Sequence, residues 1–201
     1  MSFGSNLTAL GDTMPWVTEH LKKISGGTVN LQVFEPGKLV PALGIFDAVS
    51  SGKVEAGYSF MGYEQGKVPV SAIFGAMPFG METPQFSAWM YFGGGDALLK
   101  ETFKPHNVYP ILCGSISPEA AGWFRKEIKT PDDLKGLKFR AAALGGKIYQ
   151  KLGASVTVLP GGELFQALGK GVLDGTEFSL PTVDDQLGFD AVKGDDIIVK
   201  D

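Results

Sequence analysis

The chain has 201 residues, 44% of them hydrophobic and 20% charged, enough apolar material for packed cores and too balanced a charge for disorder. Eighteen Lys and Arg against 22 Asp and Glu leave a formal charge of -4, which excludes the basic footprint of a nucleic-acid binder and makes an acidic lipid surface a poor partner. One cysteine, Cys113, precludes an intramolecular disulfide, and no apolar run approaches the roughly 18 residues of a membrane span, so direct membrane insertion is not expected.

The first six residues, Met-Ser-Phe-Gly-Ser-Asn, have neither the basic nor the apolar stretch of a secretory signal. Leu10, Met14, Val17, Leu21 and Ile24 recur at helical spacing before Gly26-Gly27, predicting an amphipathic helix with a glycine stop. Alternation of Val29, Leu31 and Val33 with polar neighbours predicts a half-buried strand, turned by Pro36-Gly37. Residues 41–51 predict a second helix, opened by Pro41, buried through Ile45, Phe46 and Val49 and stopped by Gly52, with a short strand at 54–58 after it. A buried strand is expected within 67–80, helices at 84–91 and 96–103 with Asp96 as N-cap, and a strand at 108–112 that would bury Cys113 as a core filler.

Laid on the first half at an offset of 119, the second half repeats a pattern. Phe46-x-Ala48-Val49-x-x-Gly52-x-Val54-Glu55-Ala56 matches Phe165-x-Ala167-Leu168-x-x-Gly171-x-Leu173-Asp174-Gly175. Both follow a helix, a glycine, a strand and a Pro-Gly loop, so two similar α/β lobes are expected rather than a solenoid. Lobes of this kind place strand ends and helix N-termini at a crevice suited to a small ligand.

Catalytic constellations are scarce. His20 and His106 are far apart on a helix face and in a polar loop, no GxSxG, HExxH or GxxxxGK[ST] string occurs, and Gly93-Gly94-Gly95 reads as a helix start. Arg140 is more informative, because a guanidinium at the exit of a short strand among Ala141-Ala142-Ala143 needs an anionic partner if it is buried. Its planar fork matches a carboxylate, although an internal salt bridge or a surface position would also accommodate it. Glu177 follows the repeated Leu173-Asp174-Gly175 strand, where Tyr58 stands in the first copy; Glu119 and Glu177 could fix an arginine or, with a ligand carboxylate, coordinate Na+ or Ca2+. Phe79, Tyr63, Phe178 and Trp123 are candidate walls for an organic ligand, and each also suits a core.

Five strings then resemble one family. They are Phe46 to Gly57, Pro78-Phe79-Gly80, Trp123-Phe124-Arg125, Asp132-Asp133-Leu134-Lys135-Gly136-Leu137-Lys138-Phe139-Arg140, and Gly161 to Gly171, and in this order they are similar to the substrate-binding subunit of TRAP transporters, the DctP type. The resemblance implies an α/β, two-lobe periplasmic-binding-protein-like fold, each lobe a mixed sheet flanked by helices, with lobes expected at 1–118 and 119–201. It implies a periplasmic protein, not an enzyme, that captures a small organic carboxylate (a 2-oxo, hydroxy or dicarboxylic acid) for TRAP membrane subunits. By the same resemblance Arg140 clamps the carboxylate, Glu177 matches a metal-associated acid and Phe178 stands at an aromatic position; together with the residue reading above, Arg140, Glu119, Phe178 and Phe79 are expected in the substrate site and Glu119 and Glu177 at a metal. Glu119 stands where an amide is found in 2-oxo-acid binders, a departure from the pattern. The family normally has a strand before the 7–11 loop and crossover strands with a long helix beyond residue 201, so the chain is expected to be truncated at both ends. The alternatives are a carboxylate-sensing or extracellular interaction module of the same fold, or an enzyme using Glu119 or Glu177 as acid or base.

Overall fold

The computed structural model describes residues 1–191 and the backbone of 198–200. In chain order the helices and strands are α1 (Thr13–Ile24), α2 (Ile45–Ser50), α3 (Ser71–Gly75), α4 (Thr83–Phe92), α5 (Gly95–Phe103), β1 (Gly122–Phe124), β2 (Lys138–Arg140), α6 (Ala143–Lys151), β3 (Ser155–Thr157), α7 (Gly161–Gly169), β4 (Gly175–Thr176), α8 (Pro181–Gln186) and β5 (Ile198–Lys200). They fall into two compact units, one of residues 1–60 and 89–115, the other of 61–88 and 116–201. The segment 61–88, which a division after residue 118 would place in the first lobe, thus packs with the second unit.

In the first unit the expected helices form. The α1 helix stops where predicted, Gly26 and Gly27 taking positive φ of 60° and 84° and returning their N–H groups to the carbonyls of Lys23 and Lys22. None of its residues is fully buried, and Ile24 is 83% exposed. Helix α2 buries Ile45, Phe46 and Ala48, and Phe46 packs edge-on to Phe103 with His106 beside it. Helix α5 begins one residue earlier than expected: Gly94, at φ 89°, is the N-cap, and Asp96 lies in the first turn, where it pairs with Lys100 at 2.6 Å.

The strands predicted at 29–33, 54–58 and 108–112 form no ladder among the described residues. Alternation supplies only one face, and a strand also requires a neighbour for its N–H and C=O groups. Val29 and Leu31 are accordingly about two-fifths exposed, and Cys113 lies exposed rather than in a core. Its thiol pKa is raised by desolvation, which does not make it a nucleophile. The strand expected within 67–80 is instead the short helix α3, whose Ala72 and Phe74 are buried.

The second unit contains the sheet, in the order β3-β2-β4-β1-β5. Two right-sized crossovers, β2-α6-β3 and β3-α7-β4, give parallel pairing of β2 with both β3 and β4, while β1 runs antiparallel to β4 and β5. One face holds Phe124, Leu134, Leu137, Phe139, Ala141 and Ala154, with Phe124 and Phe139 stacked at 5.1 Å. Gly175 lets β4 enter this layer, since a Cβ there would stand 2.7 Å from the Trp123 carbonyl and 3.0 Å from both phenylalanine rings. Alternation along β2 then turns its next side chain, Arg140, away from Phe139.

Candidate functional site

Arg140 is 1% exposed, so its five N–H groups must be satisfied by protein or by a guest. Nε donates to the Leu159 carbonyl at 3.1 Å, and Nη1 donates to both the Glu177 carbonyl at 2.6 Å and Glu177 Oε1 at 3.1 Å. Nη2 meets only the Tyr63 hydroxyl, at a long 3.4 Å, so this edge has capacity for a further acceptor among the described residues. The Phe178 ring centroid is 5.1 Å from the guanidinium carbon, within cation–π range. Gly161 at the start of α7 makes room for that ring, because a Cβ would stand 2.4 Å from its tip.

Glu177 arrives through β4, whose register pairs Thr176 with Arg140, and the Glu177 amide donates to the Arg140 carbonyl at 3.0 Å. Oε1 also accepts the Ala142 N–H at 2.7 Å. Small side chains at 141–143 permit this close approach, and Ala143, at φ 52°, is held from the other side by Gln65, whose amide donates to its carbonyl at 2.9 Å. Glu177 Oε2 has no hydrogen-bond donor among the described residues.

Two more acids lie within electrostatic reach. Glu119 is exposed as a residue, yet its carboxyl group is crowded by protein atoms. Its pKa is pushed up to about 8, chiefly by desolvation and then by the charge of Glu177, with Arg140 pulling the other way. Asp184, 1% exposed, is pushed up to about 6 by desolvation, although Trp123 Nε1 donates to its Oδ2 at 2.7 Å. Burial also raises the pKa of Tyr63. Two surface grooves of about 480 and 430 Å³ lie along α2 and α7 and include none of these residues.

A family model described as "Bacterial extracellular solute-binding protein, family 7", DctP, matches residues 5–194. The chain belongs to this family. Among the DctP proteins it is similar to is a monocarboxylate 2-oxoacid-binding periplasmic protein of Nostoc sp. (strain PCC 7120), 40% identical over 173 residues, which are 86% of this chain and 48% of that one. A TRAP periplasmic solute-binding protein of Pseudoalteromonas atlantica, solved with sodium and pyruvate, is 38% identical with a TM-score of 0.91 over 95% of this chain and 58% of that one. One from Colwellia psychrerythraea, solved with calcium and pyruvate, is 35% identical with a TM-score of 0.90 and the same coverage. The chain thus spans about half the length of the curated relative and under three-fifths of these structures.

Of the DctP-type site residues named from sequence, Arg140, Glu177 and Phe178 are in direct contact, and Glu119 lies within range of their charges. Phe79 does not join them. It stands fully exposed at 108%, at φ 57°, in the turn where the Gly80 N–H returns to the Met77 carbonyl. Sequence reasoning missed the Leu159 carbonyl and Asp184. A carbonyl leaves no trace in residue identity, but Asp184 had one: an acid seven residues after Glu177, next to apolar Val183 on a short helix opened by Pro181.

Proposed function

We propose that this chain carries the anion-holding part of a periplasmic solute-binding protein serving a TRAP-type transporter, and that its ligand is a small 2-oxo monocarboxylate of the pyruvate kind. The observation that carries the reading is the buried Arg140: two of its nitrogens are committed to protein acceptors, and Nη2 keeps an open edge. A guanidinium so held is pre-oriented for a carboxylate, with no cost in its own side-chain freedom at the moment of binding. Phe178 offers the apolar surface for the carbon skeleton. The named ligands of the Nostoc, Pseudoalteromonas and Colwellia proteins favour a 2-oxo acid over larger sugar acids. Delivery to membrane subunits and periplasmic location belong to the same proposal.

A bridging Na+ or Ca2+ fits the residues present. Glu177 Oε2 is available, Glu119 carries a second carboxyl, and no group of three or more potential metal ligands exists among the described residues. A hard cation would therefore be held by Glu119 and Glu177 together with oxygens of the ligand, and would supply positive charge to offset the anions gathered there.

Calorimetric titration of the full-length protein with pyruvate, lactate, succinate and a sugar acid, each with and without Na+ and Ca2+, tests the reading. Pyruvate is expected to bind most tightly, and more tightly with cation. Preferential binding of the sugar acid, or no acid binding at all, would overturn it.

A further inference from the structure

Asp184 has no place in the anion clamp described above, yet it is buried and feels the charges of Glu177 and Arg140. Its Oδ2 takes the Trp123 indole N–H, with the Ser179 amide also favouring the anion, while its Oδ1 and the Ser179 hydroxyl are buried without any hydrogen-bond partner among the described residues. An ionised carboxylate with one oxygen unsatisfied in the interior is an expensive arrangement, and a proton or a nearby positive charge relieves it. Charged groups that feel Asp184 are Glu177, Glu119 and Arg140; Asp185 on the same helix and Asp190 in the following turn point into solvent as exposed residues.

Charge counting gives this group a consequence for capture. One arginine serves Glu177, 3.1 Å from its Nη1, and also feels the charge of Asp184 before any carboxylate arrives, so each further negative charge in this poorly screened region weakens the hold on an anionic guest. We infer that Asp184 is a positioning and charge-setting residue of the carboxylate site: ionised, it opposes anion capture, and neutralised, it permits tighter capture while still anchoring Trp123 on β1. The inference rests on the carboxylate reading proposed above. Its raised pKa places the change of state within the mildly acidic range, and pyruvate remains ionised throughout that range.

Asp184→Asn keeps an acceptor for the Trp123 N–H and removes the charge. Pyruvate affinity of the full-length wild-type protein and of D184N is measured at pH 7.5 and at pH 5, in buffer with chelator and without Na+. D184N is expected to bind roughly tenfold more tightly than wild type at pH 7.5, with the two converging to within about twofold at pH 5. A merely structural role would not produce that convergence, and equal affinities at pH 7.5, or the same ratio at both pH values, would overturn the inference. Trp123→Phe provides a second route if D184N fails to fold. Loss of the indole donor should move the midpoint of the pyruvate pH profile upward, and an unmoved midpoint counts against the role of Asp184. Absence of pyruvate binding by wild type at either pH would instead sink the carboxylate reading itself.

Discussion

The two copies of the internal repeat fold alike up to the point where they diverge in use. In the first, Ser51, Gly52, Lys53 and Val54 return their N–H groups to the carbonyls of Asp47, Val49, Ala48 and Ala48; in the second, Lys170, Gly171, Val172 and Leu173 return theirs to Gln166, Leu168, Ala167 and Ala167. The glycines take φ of 72° and 69°. Beyond them, the second copy enters a sheet at Gly175–Thr176 as β4 and delivers Glu177 to Arg140, whereas 54–58 meets no ladder among the described residues and delivers Tyr58, edge-on to Phe3. A turn motif therefore fixes the local path of the chain, while the neighbouring strand decides whether the next side chain becomes part of a site.

The largest expected effect breaks the comparison at its functional end. Arg140→Ala should cost about 3–5 kcal/mol of pyruvate binding, because it leaves buried anions without their partner, while Tyr58→Phe at the matching end of the first copy changes affinity less than about twofold. Calorimetry on both variants distinguishes them, and equal losses would dissolve the functional asymmetry.

A smaller effect probes the shared turn. Gly52→Ala and Gly171→Ala each force a Cβ into the left-handed region and should each lower stability by about 1–2 kcal/mol in urea unfolding. A Cβ at 52 meets nothing within 4 Å, and one at 171 meets only Arg125 Nη1 at 3.3 Å, so backbone strain dominates both. Ligand affinity should fall only for Gly171→Ala, whose strand carries Glu177.

The pH dependence of stability sharpens the contrast further. Glu119 and Asp184 are raised from ordinary values of 4.5 and 3.8 to about 8 and about 6, so the folded state keeps protons that the unfolded chain has released. Their contribution is full below about pH 4 and is lost as pH rises through 6 for Asp184 and 8 for Glu119. Melting temperature in the absence of ligand should therefore decline between those limits, and Glu119→Gln with Asp184→Asn should flatten the profile. A slope unaltered by the double variant would mean that neither acid is desolvated as described. Smallest of all, Glu19→Gln removes an exposed pair with Lys23 and should leave both melting and binding unchanged within error.

Much of this was legible before any coordinates. Arg140, Glu177 and Phe178 announced themselves through chemistry out of keeping with their surroundings, a charge or a ring beside alanines and at the end of a repeated strand. The glycine stops at 26–27, 52 and 171 were readable because only glycine takes those backbone angles cheaply. The failures share one cause. Residues 29–33 have the alternation of a strand and 108–112 the apolar run of one, but pairing depends on what lies alongside, which no local pattern encodes. Phe79 stands exposed for a related reason: an aromatic beside Pro and Gly signals a tight turn, and whether the ring points inward depends on the turn's angles.

One detail of Glu177 bears on how a carboxylate site of the proposed kind would let go. It grips Nη1 of Arg140 twice, once with its main chain and once with its side chain. The backbone grip comes from the residue directly after β4, so on the proposed function the carboxylate would exchange partners as solutes come and go while the arginine stays aimed. On that reading, loading and unloading would proceed without rebuilding the recognition element between rounds.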